Sequence, residues 1–169
     1  MDLKEALTVA IDYEHRVRDH YARGAEALLD PKAKKVFETL AREEQGHVGY
    51  LESRLDEWQA RGHFESPELP TLLPSGTWIE AARARLASLP AGSATGSELD
   101  LLKTALELER TTSAFYRSLV DTLPAGQREL FARFLAIEEG HLAIVQAEID
   151  AVAGHGHWFD FQEFSLEAS

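Results

Sequence analysis

The residues of this chain that could do chemistry together form a motif that occurs twice. Glu44 is followed by His47, and Glu138 is followed by His141, so both pairs have the spacing Glu-x-x-His. Residues three apart lie on one face of a helix, where a carboxylate and an imidazole can reach the same metal ion. The repeated motif therefore predicts metal binding.

A further glutamate lies about 30 residues before each motif, Glu14 before the first and Glu109 before the second. The surrounding sequence repeats as well. Residues 10–14 match residues 105–109 at an offset of 95, and the residues around the two motifs match at an offset of 94. Because the two offsets agree within one residue, the sequence indicates a duplicated helical hairpin.

Apolar residues recur at helical spacing over four long stretches, and the alternation typical of strands is absent. The predicted helices run from about Leu3 to Leu29, from Pro31 to near Gly62, from a cap at Ser97 to the break at Pro124, and from there to Gly154. The first pair and the last pair of helices are each joined tightly, so each pair is expected to form a hairpin.

The second and third helices are separated by a longer segment of different composition, residues 63–96. Prolines interrupt this segment, and one short helix is predicted inside it, from Trp78 to Leu89. One long crossover is the connectivity of ferritin-like bundles. We expect an all-α fold, a single ferritin-like four-helix bundle over residues 1–169 with a long crossover between helices 2 and 3. The competing arrangement, two separate hairpin domains, would leave each apolar stripe uncovered.

Six polar side chains fall on the inward stripes of these helices, where leucine or isoleucine would be expected. They are Glu14, Glu44, His47, Glu109, Glu138 and His141. Burying an isolated ionised carboxylate costs several kcal/mol, so something must compensate four of them. The arginines near them in the sequence lie off these stripes or at their edges, whereas two divalent metals would neutralise all four. A polar core without metal remains the alternative.

The order Glu14, Glu44-x-x-His47, Glu109, Glu138-x-x-His141 resembles the di-iron carboxylate pattern of the ferritin-like superfamily. Tyr21 and Tyr116, each seven residues after the glutamate of its own helix, make the chain similar to the rubrerythrin branch. The resemblance covers roughly residues 3–154, apart from the crossover.

The resemblance implies two bound iron ions and a non-haem di-iron oxidoreductase that reacts with peroxide or dioxygen. Glu44 and Glu138 would bridge both ions. Glu14 with His47, and Glu109 with His141, would each complete the ligands of one ion. Tyr21 and Tyr116 would serve catalysis as hydrogen-bond donors to the ligand carboxylates. Manganese or zinc would also suit these ligands.

The chain departs from the rubrerythrin pattern in two respects. It contains no cysteine, so it lacks the cysteine-ligated rubredoxin-like domain that usually delivers electrons, and a separate donor protein is expected. Thr112 stands three residues after Glu109, where rubrerythrins carry an additional carboxylate. The alternatives are a ferroxidase or iron-storage protein and a metal-stabilised structural module.

Three features next to the pattern carry weaker predictions. Glu43 is a rival to Glu44, but Ile137 occupies the matching place in the other half. Gly46 and its counterpart in the second half each precede a histidine of the motif, and their repetition favours close helix approach or a local bulge. The remaining histidines before the crossover lie outside the pattern and are expected at the surface. They are His15, His20 and His63.

Composition excludes some partners. With 17 basic and 29 acidic residues, the chain would repel nucleic-acid phosphates. No stretch approaches the roughly 20 apolar residues needed to span a bilayer, and no leader opens the chain, so a cytoplasmic protein without membrane contact is expected. The tail, residues 155–169, is rich in aromatic residues. It is expected to pack across the bundle end or onto a second subunit, in a homodimer or larger homo-oligomer.

Overall fold

The computed structural model describes residues 1–65, 67–69, 71, 84, 92, 94 and 96–158. These residues form four helices and no strand: α1 Leu3–Ala27, α2 Pro31–Arg61, α3 Gly96–Thr122 and α4 Ala125–His155. The predicted all-α four-helix bundle is confirmed, whereas the short helix predicted inside the crossover lies, apart from Ala84, outside the described residues. None of the four helices is long and apolar enough to cross a membrane.

The first two helices begin where the side chains can satisfy free backbone N–H groups. The carboxylate of Asp2 accepts a hydrogen bond of 2.8 Å from the Glu5 amide. Asp30 accepts from the amides of Lys32 and Ala33, with Pro31 at the first helical position. Such caps stabilise a helix by about 1 kcal/mol, and both hairpins of the bundle depend on helices that begin at these points.

The C-terminal ends of α2 and α4 depend on left-handed glycines. Gly62 has a φ of 73° and ends α2 as predicted, and Gly156 has a φ of 67° and ends α4. The prediction that α4 stops at Gly154 is therefore wrong. Ser97 was expected to cap α3, but it lies inside the first turn because α3 begins at Gly96.

Contacts between side chains of α1 and α3 show that these helices run in opposite directions. The Tyr21 hydroxyl donates to Glu109, and the Tyr116 hydroxyl donates to Glu14. The later residue of each helix thus meets the earlier residue of the other. Seven residues span about 10 Å along a helix, which is why the same spacing on both helices produces two matching contacts.

The apolar core has two parts, which lie towards opposite ends of the bundle. One part includes Val17, Tyr21, Phe37, Leu102 and Val145. The other includes Leu7, Leu51, Tyr116, Leu119 and Phe134. The four glutamates of the predicted site lie at or within two residues of the midpoints of their helices. The polar residues therefore occupy the layer between two apolar parts.

Trp158, the first aromatic residue of the tail, covers one end of the bundle. Its side chain is buried, and its ring centroid lies 5.9 Å from that of Phe37. For Trp158 the prediction of packing across the bundle end is confirmed without a second subunit. The other aromatic residues of the tail lie outside the described residues.

The packing around Phe37 can be tested with Gly24. A Cβ atom added at Gly24 would lie 2.4 Å from two ring atoms of Phe37, which is fully buried. Gly24→Ala is expected to lower the free energy of unfolding by about 1–3 kcal/mol, because overpacking a buried site forces its neighbours to move. Denaturant unfolding at constant m-value measures this change.

The matched control is Gly49→Ala, since Gly49 is also helical but a Cβ there would meet no atom within 4 Å. This substitution is expected to raise the free energy of unfolding by about 1 kcal/mol through helix propensity alone. Equal stability of the two variants would contradict the close packing of α1 on Phe37.

Candidate metal centre

The six predicted side chains meet in one buried cluster, with one or two contributed by each helix. His47 is 1% exposed and the other five are 0% exposed. Glu14 comes from α1, Glu109 from α3, and each Glu-x-x-His pair from α2 or α4. The structure therefore brings all six together.

The carboxylates approach each imidazole through its Nδ1 atom. His47 Nδ1 lies 3.3 Å from Glu14 Oε2 and 3.1 Å from Glu44 Oε2. His141 Nδ1 lies 2.7 Å from Glu44 Oε1 and 3.7 Å from Glu109 Oε2. Each histidine thus faces the single glutamate that sequence comparison paired with it, and both face Glu44.

Glu138 occupies the corresponding central position opposite Glu44. Its two carboxylate oxygens lie 3.6 Å from His47 Nδ1 and 3.8 Å from His141 Nδ1. Two sets of four side chains result, each with its ligand atoms within 4.8 Å of one another. Glu14 and His47 belong to one set, Glu109 and His141 to the other, and Glu44 and Glu138 to both. This arrangement can hold two ions with two shared carboxylates.

Several oxygen and nitrogen atoms of the cluster lack hydrogen bonds. Both oxygens of Glu138, Oε1 of Glu44 and Oε2 of Glu109 are buried without a hydrogen-bond partner. Buried polar atoms are almost always hydrogen-bonded in folded proteins. Several acceptors that converge without donors therefore need either protons or cations between them.

Arginine and lysine do not supply the missing positive charge. Among the described residues, neither arginine nor lysine forms an ion pair with any of the six side chains, whose ion pairs are with one another or with Glu43. Carboxylate and imidazole donors suit divalent ions of the first transition row. The residues present therefore fit the predicted pair of metal ions.

Two buried tyrosines hold the outer carboxylates in a reciprocal way. The Tyr21 hydroxyl donates to Glu109 Oε1 at 2.5 Å, and the Tyr116 hydroxyl makes a short hydrogen bond to Glu14 Oε1. Both tyrosines are fully buried. Each tyrosine thus fixes the glutamate of the other hairpin, and the remaining oxygen of that glutamate faces a histidine. Their contacts with the carboxylates agree with the prediction, and their catalytic role stays a prediction.

Burial and mutual repulsion shift the carboxylate pKa values. Burial, reinforced by the charge of Glu44, raises the pKa of Glu14 to about 8. Burial also raises the pKa of Glu138 well above its ordinary value. For the imidazoles, burial acts to lower the pKa, but the glutamate charges outweigh it. The pKa of His47 is raised to about 10, and that of His141 lies well above its ordinary value.

Glu44 shows the opposite shift. Although its burial acts to raise the pKa, the charges on the two histidines hold the pKa of this carboxyl well below its usual range. Without metal, the centre at neutral pH therefore holds protons on Glu14, Glu138 and both imidazoles. Metal binding must displace these protons, because ligand atoms bind metal in their deprotonated form.

Glu43 is the polar residue at the centre that sequence reasoning set aside. It is 7% exposed, and its Oε2 lies 4.0 Å from Nε2 of His141. The Thr71 hydroxyl donates to the same oxygen at 2.9 Å. The alternation of the helical stripe placed Glu44 inward correctly, but an adjacent residue at the edge of a stripe can be buried by a crossover that the stripe does not reveal.

Two other predictions about neighbouring residues are wrong. His20 is buried rather than at the surface, with Nε2 3.0 Å from the Leu101 carbonyl oxygen, and burial lowers its pKa. Gly46 was expected to allow close helix approach, yet a Cβ there would meet no atom within 4 Å, and α2 continues as an α-helix through it. Nothing in the structure explains this glycine.

Comparison with known proteins gives limited information. No family model matches the chain. It is similar to the B-type subunit of the aspartyl/glutamyl-tRNA(Asn/Gln) amidotransferase of Bordetella avium, with 32% identity over 114 residues that cover 64% of this chain and 23% of the relative. The corresponding protein of Bordetella pertussis is 32% identical over 78 residues, covering 43% of this chain and 16% of the relative. The chain thus spans less than a quarter of the length of these relatives.

The pKa shifts predict how the stability of the metal-free protein depends on pH. Glu14 holds its proton up to about pH 8 in the folded state but releases it near 4.5 when unfolded, so its contribution is complete below 4.5 and is lost towards 8. For His47, the contribution is complete below 6.5 and is lost towards pH 10. The free energy of unfolding in the presence of a chelator should therefore fall as pH rises through these intervals.

Two variants assign this slope. Glu14→Gln, which removes a titrating group, should flatten the part between pH 4.5 and 8. Glu139→Gln should leave it unchanged, because Glu139 is exposed and pairs with Arg117 at 2.6 Å. Stability that stays constant from acid to alkaline pH in the metal-free parent would contradict a buried cluster that holds protons.

Proposed function

We propose that this protein is a non-haem di-iron oxidoreductase of the ferritin-like superfamily, similar to rubrerythrins, that reacts with peroxide or dioxygen. One observation carries the proposal. Two fully buried sets of three carboxylates and one imidazole share Glu44 and Glu138. In di-iron carboxylate bundles, the same ligand types come from the same combination of helices.

In this proposal each residue of the cluster has a role in holding the metal ions. Glu14 and His47 hold one iron, Glu109 and His141 hold the other, and Glu44 with Glu138 lies between them. The two iron ions, when bound, supply the electrons that reduce the oxidant. Four glutamates offer four negative charges to two divalent ions, so the loaded centre can be nearly neutral inside an apolar bundle.

The surrounding residues orient the ligands and exclude water. The hydroxyls of Tyr21 and Tyr116 fix one oxygen of Glu109 and of Glu14, which leaves the other oxygen of each for metal. The ring of Phe134 packs against His47, with centroids 5.4 Å apart, and lies next to Tyr116. A dry and rigid set of ligands strengthens electrostatic interactions with the metal and limits side reactions with solvent.

Two other functions use the same centre and are distinguished by experiment. A chain without cysteine needs a separate protein or small molecule to return electrons, whereas a ferroxidase or storage protein needs none because ferrous iron is itself the reductant. Peroxide-dependent oxidation of an added donor by the loaded protein would support the oxidoreductase. A spherical cage in electron microscopy, with iron oxidation but no donor turnover, would support storage, and inertness to both oxidants would indicate a structural module.

The similarity to the amidotransferase proteins carries less weight for function. It covers less than a quarter of those relatives, and the net charge of −12 opposes contact with tRNA phosphates. The buried centre, by contrast, lies in the middle of the chain's own fold.

The proposal predicts the amount of metal bound. Protein saturated with ferrous iron without oxygen should bind about two irons per chain, as expected for a di-iron bundle, and should develop near-ultraviolet absorption on oxidation. Elemental analysis after removal of free iron measures the ratio. A value of about one or less at saturation would contradict two adjacent sites.

The shared and unshared glutamates should differ in their effects. Glu138→Ala removes a ligand from both sets and should reduce loading of both positions, whereas Glu14→Ala removes a ligand from one set and should weaken chiefly that position. Glu139→Ala, next to Glu138 but exposed, is the control and should bind iron normally. Equal effects of Glu14→Ala and Glu138→Ala would argue against shared ligands.

A further inference from the structure

Glu43 lies behind the candidate centre and does not belong to either set of four ligands. It directly precedes Glu44 on α2, is 7% exposed, and has its Oε2 4.0 Å from Nε2 of His141. Its carboxylate is therefore on the side of His141 opposite to the four glutamates of the cluster. The role of this carboxylate depends on what the second ring nitrogen of the histidine requires.

The two ring nitrogens of each histidine face different surroundings. Nδ1 of His47 and of His141 faces the cluster glutamates, so Nδ1 is the atom that would bind metal. A neutral imidazole that binds through Nδ1 carries its hydrogen on Nε2. Because this N–H is buried, it needs an acceptor, and for His141 the nearby carboxylate is Glu43.

Glu43, His47 and His141 could in principle hold a third ion, since one ligand atom from each lies within 4.8 Å of the others. That ion would require Nε2 of both rings to lose its hydrogen while Nδ1 also binds metal. Neutral imidazole has only one free lone pair on nitrogen. A carboxylate that accepts from an imidazole N–H is the simpler chemistry for this position.

The two halves of the molecule differ at this point. The residue of α4 that matches Glu43 is Ile137, which cannot accept a hydrogen bond. Nε2 of His47 has no hydrogen-bond partner among the described residues. The duplicated centre therefore has a carboxylate close behind His141 without a counterpart from α4 behind His47.

The crossover holds Glu43 in place. The Thr71 hydroxyl donates to Glu43 Oε2 at 2.9 Å. The same segment is fastened to α2 by hydrogen bonds from Tyr50 to the Pro67 carbonyl, at 2.7 Å, and from Arg54 to the Glu65 carbonyl, at 2.6 Å. The separation of 4.0 Å between Glu43 and His141 is longer than a hydrogen bond, and a small rotation of the carboxyl group closes it.

We infer that Glu43, held by Thr71 of the crossover, positions His141 as a metal ligand and makes the position formed with Glu109 and His141 the tighter of two unequal metal positions. A carboxylate behind a ligand histidine fixes the tautomer and the ring orientation and makes the imidazole a stronger ligand. The inference rests on the proposed metal centre. It adds that the two positions load in order and that the crossover sets this order.

The test measures metal affinity rather than turnover. Cobalt(II) is titrated into metal-free wild type and Glu43→Gln by calorimetry, and native mass spectrometry counts the bound ions. Wild type should show two events of different affinity. Glu43→Gln should weaken the tighter event by roughly 10–100-fold, the usual cost of losing such a partner, and leave the other unchanged. Glu139→Gln, which changes the exposed carboxylate next to Glu138, should match wild type.

Single-position variants identify which histidine depends on Glu43. In a His47→Ala background the remaining position contains His141, and Glu43→Gln should still weaken it by roughly 10–100-fold. In a His141→Ala background the same change should have no effect. Thr71→Val should weaken the tighter event in wild type by a smaller factor, and Thr71→Ser should restore it.

The outcomes separate failure of the inference from failure of the proposed centre. Wild type that binds fewer than two cobalt ions would overturn both. Wild type that binds two ions, with both affinities unchanged by Glu43→Gln, would overturn the inference alone. Equal weakening of both events, or a lower unfolding midpoint of metal-free Glu43→Gln, would also overturn it, because either result indicates a general structural role.

Discussion

The structure depends on the cost of placing four carboxylates between two apolar parts of one bundle. Glu14, Glu44, Glu109 and Glu138 are all 0% exposed. Ionised together without cations they would repel one another strongly, and burial would deprive each of hydration. Protons offset this cost in the metal-free chain, and metal ions would offset it in the loaded chain. The folded bundle is therefore coupled to whatever positive charge its middle layer contains.

The fold and the cluster could be predicted because both are periodic. Helical spacing placed the apolar residues on four stripes, and the same spacing placed six polar residues on those stripes, which the buried cluster confirms. Duplication strengthened the prediction, since two copies of Glu-x-x-His at matching offsets exclude coincidence. Residues three or four apart on one helix are the contacts that a sequence reveals most directly.

Features that depend on contacts between distant segments could not be predicted. The burial of Glu43 depends in part on Thr71, which is 28 residues away and belongs to the crossover. His20 is buried because its ring reaches the carbonyl of Leu101, 81 residues later. The repetition of Gly46 suggested a packing role that open space around it does not support. Periodicity along one helix contains no information about these pairings.

The exchange of tyrosines between the halves has a consequence for how such a chain could arise. Tyr21 serves the glutamate of the second hairpin, and Tyr116 serves the glutamate of the first. Neither hairpin contains a complete set of partners for its own outer carboxylate. A single ancestral hairpin could therefore have completed its centre only by pairing with an identical copy through a two-fold axis. Gene duplication and fusion then replace an encounter between two molecules with a covalent connection, after which the two halves are free to diverge, as Glu43 and Ile137 have done.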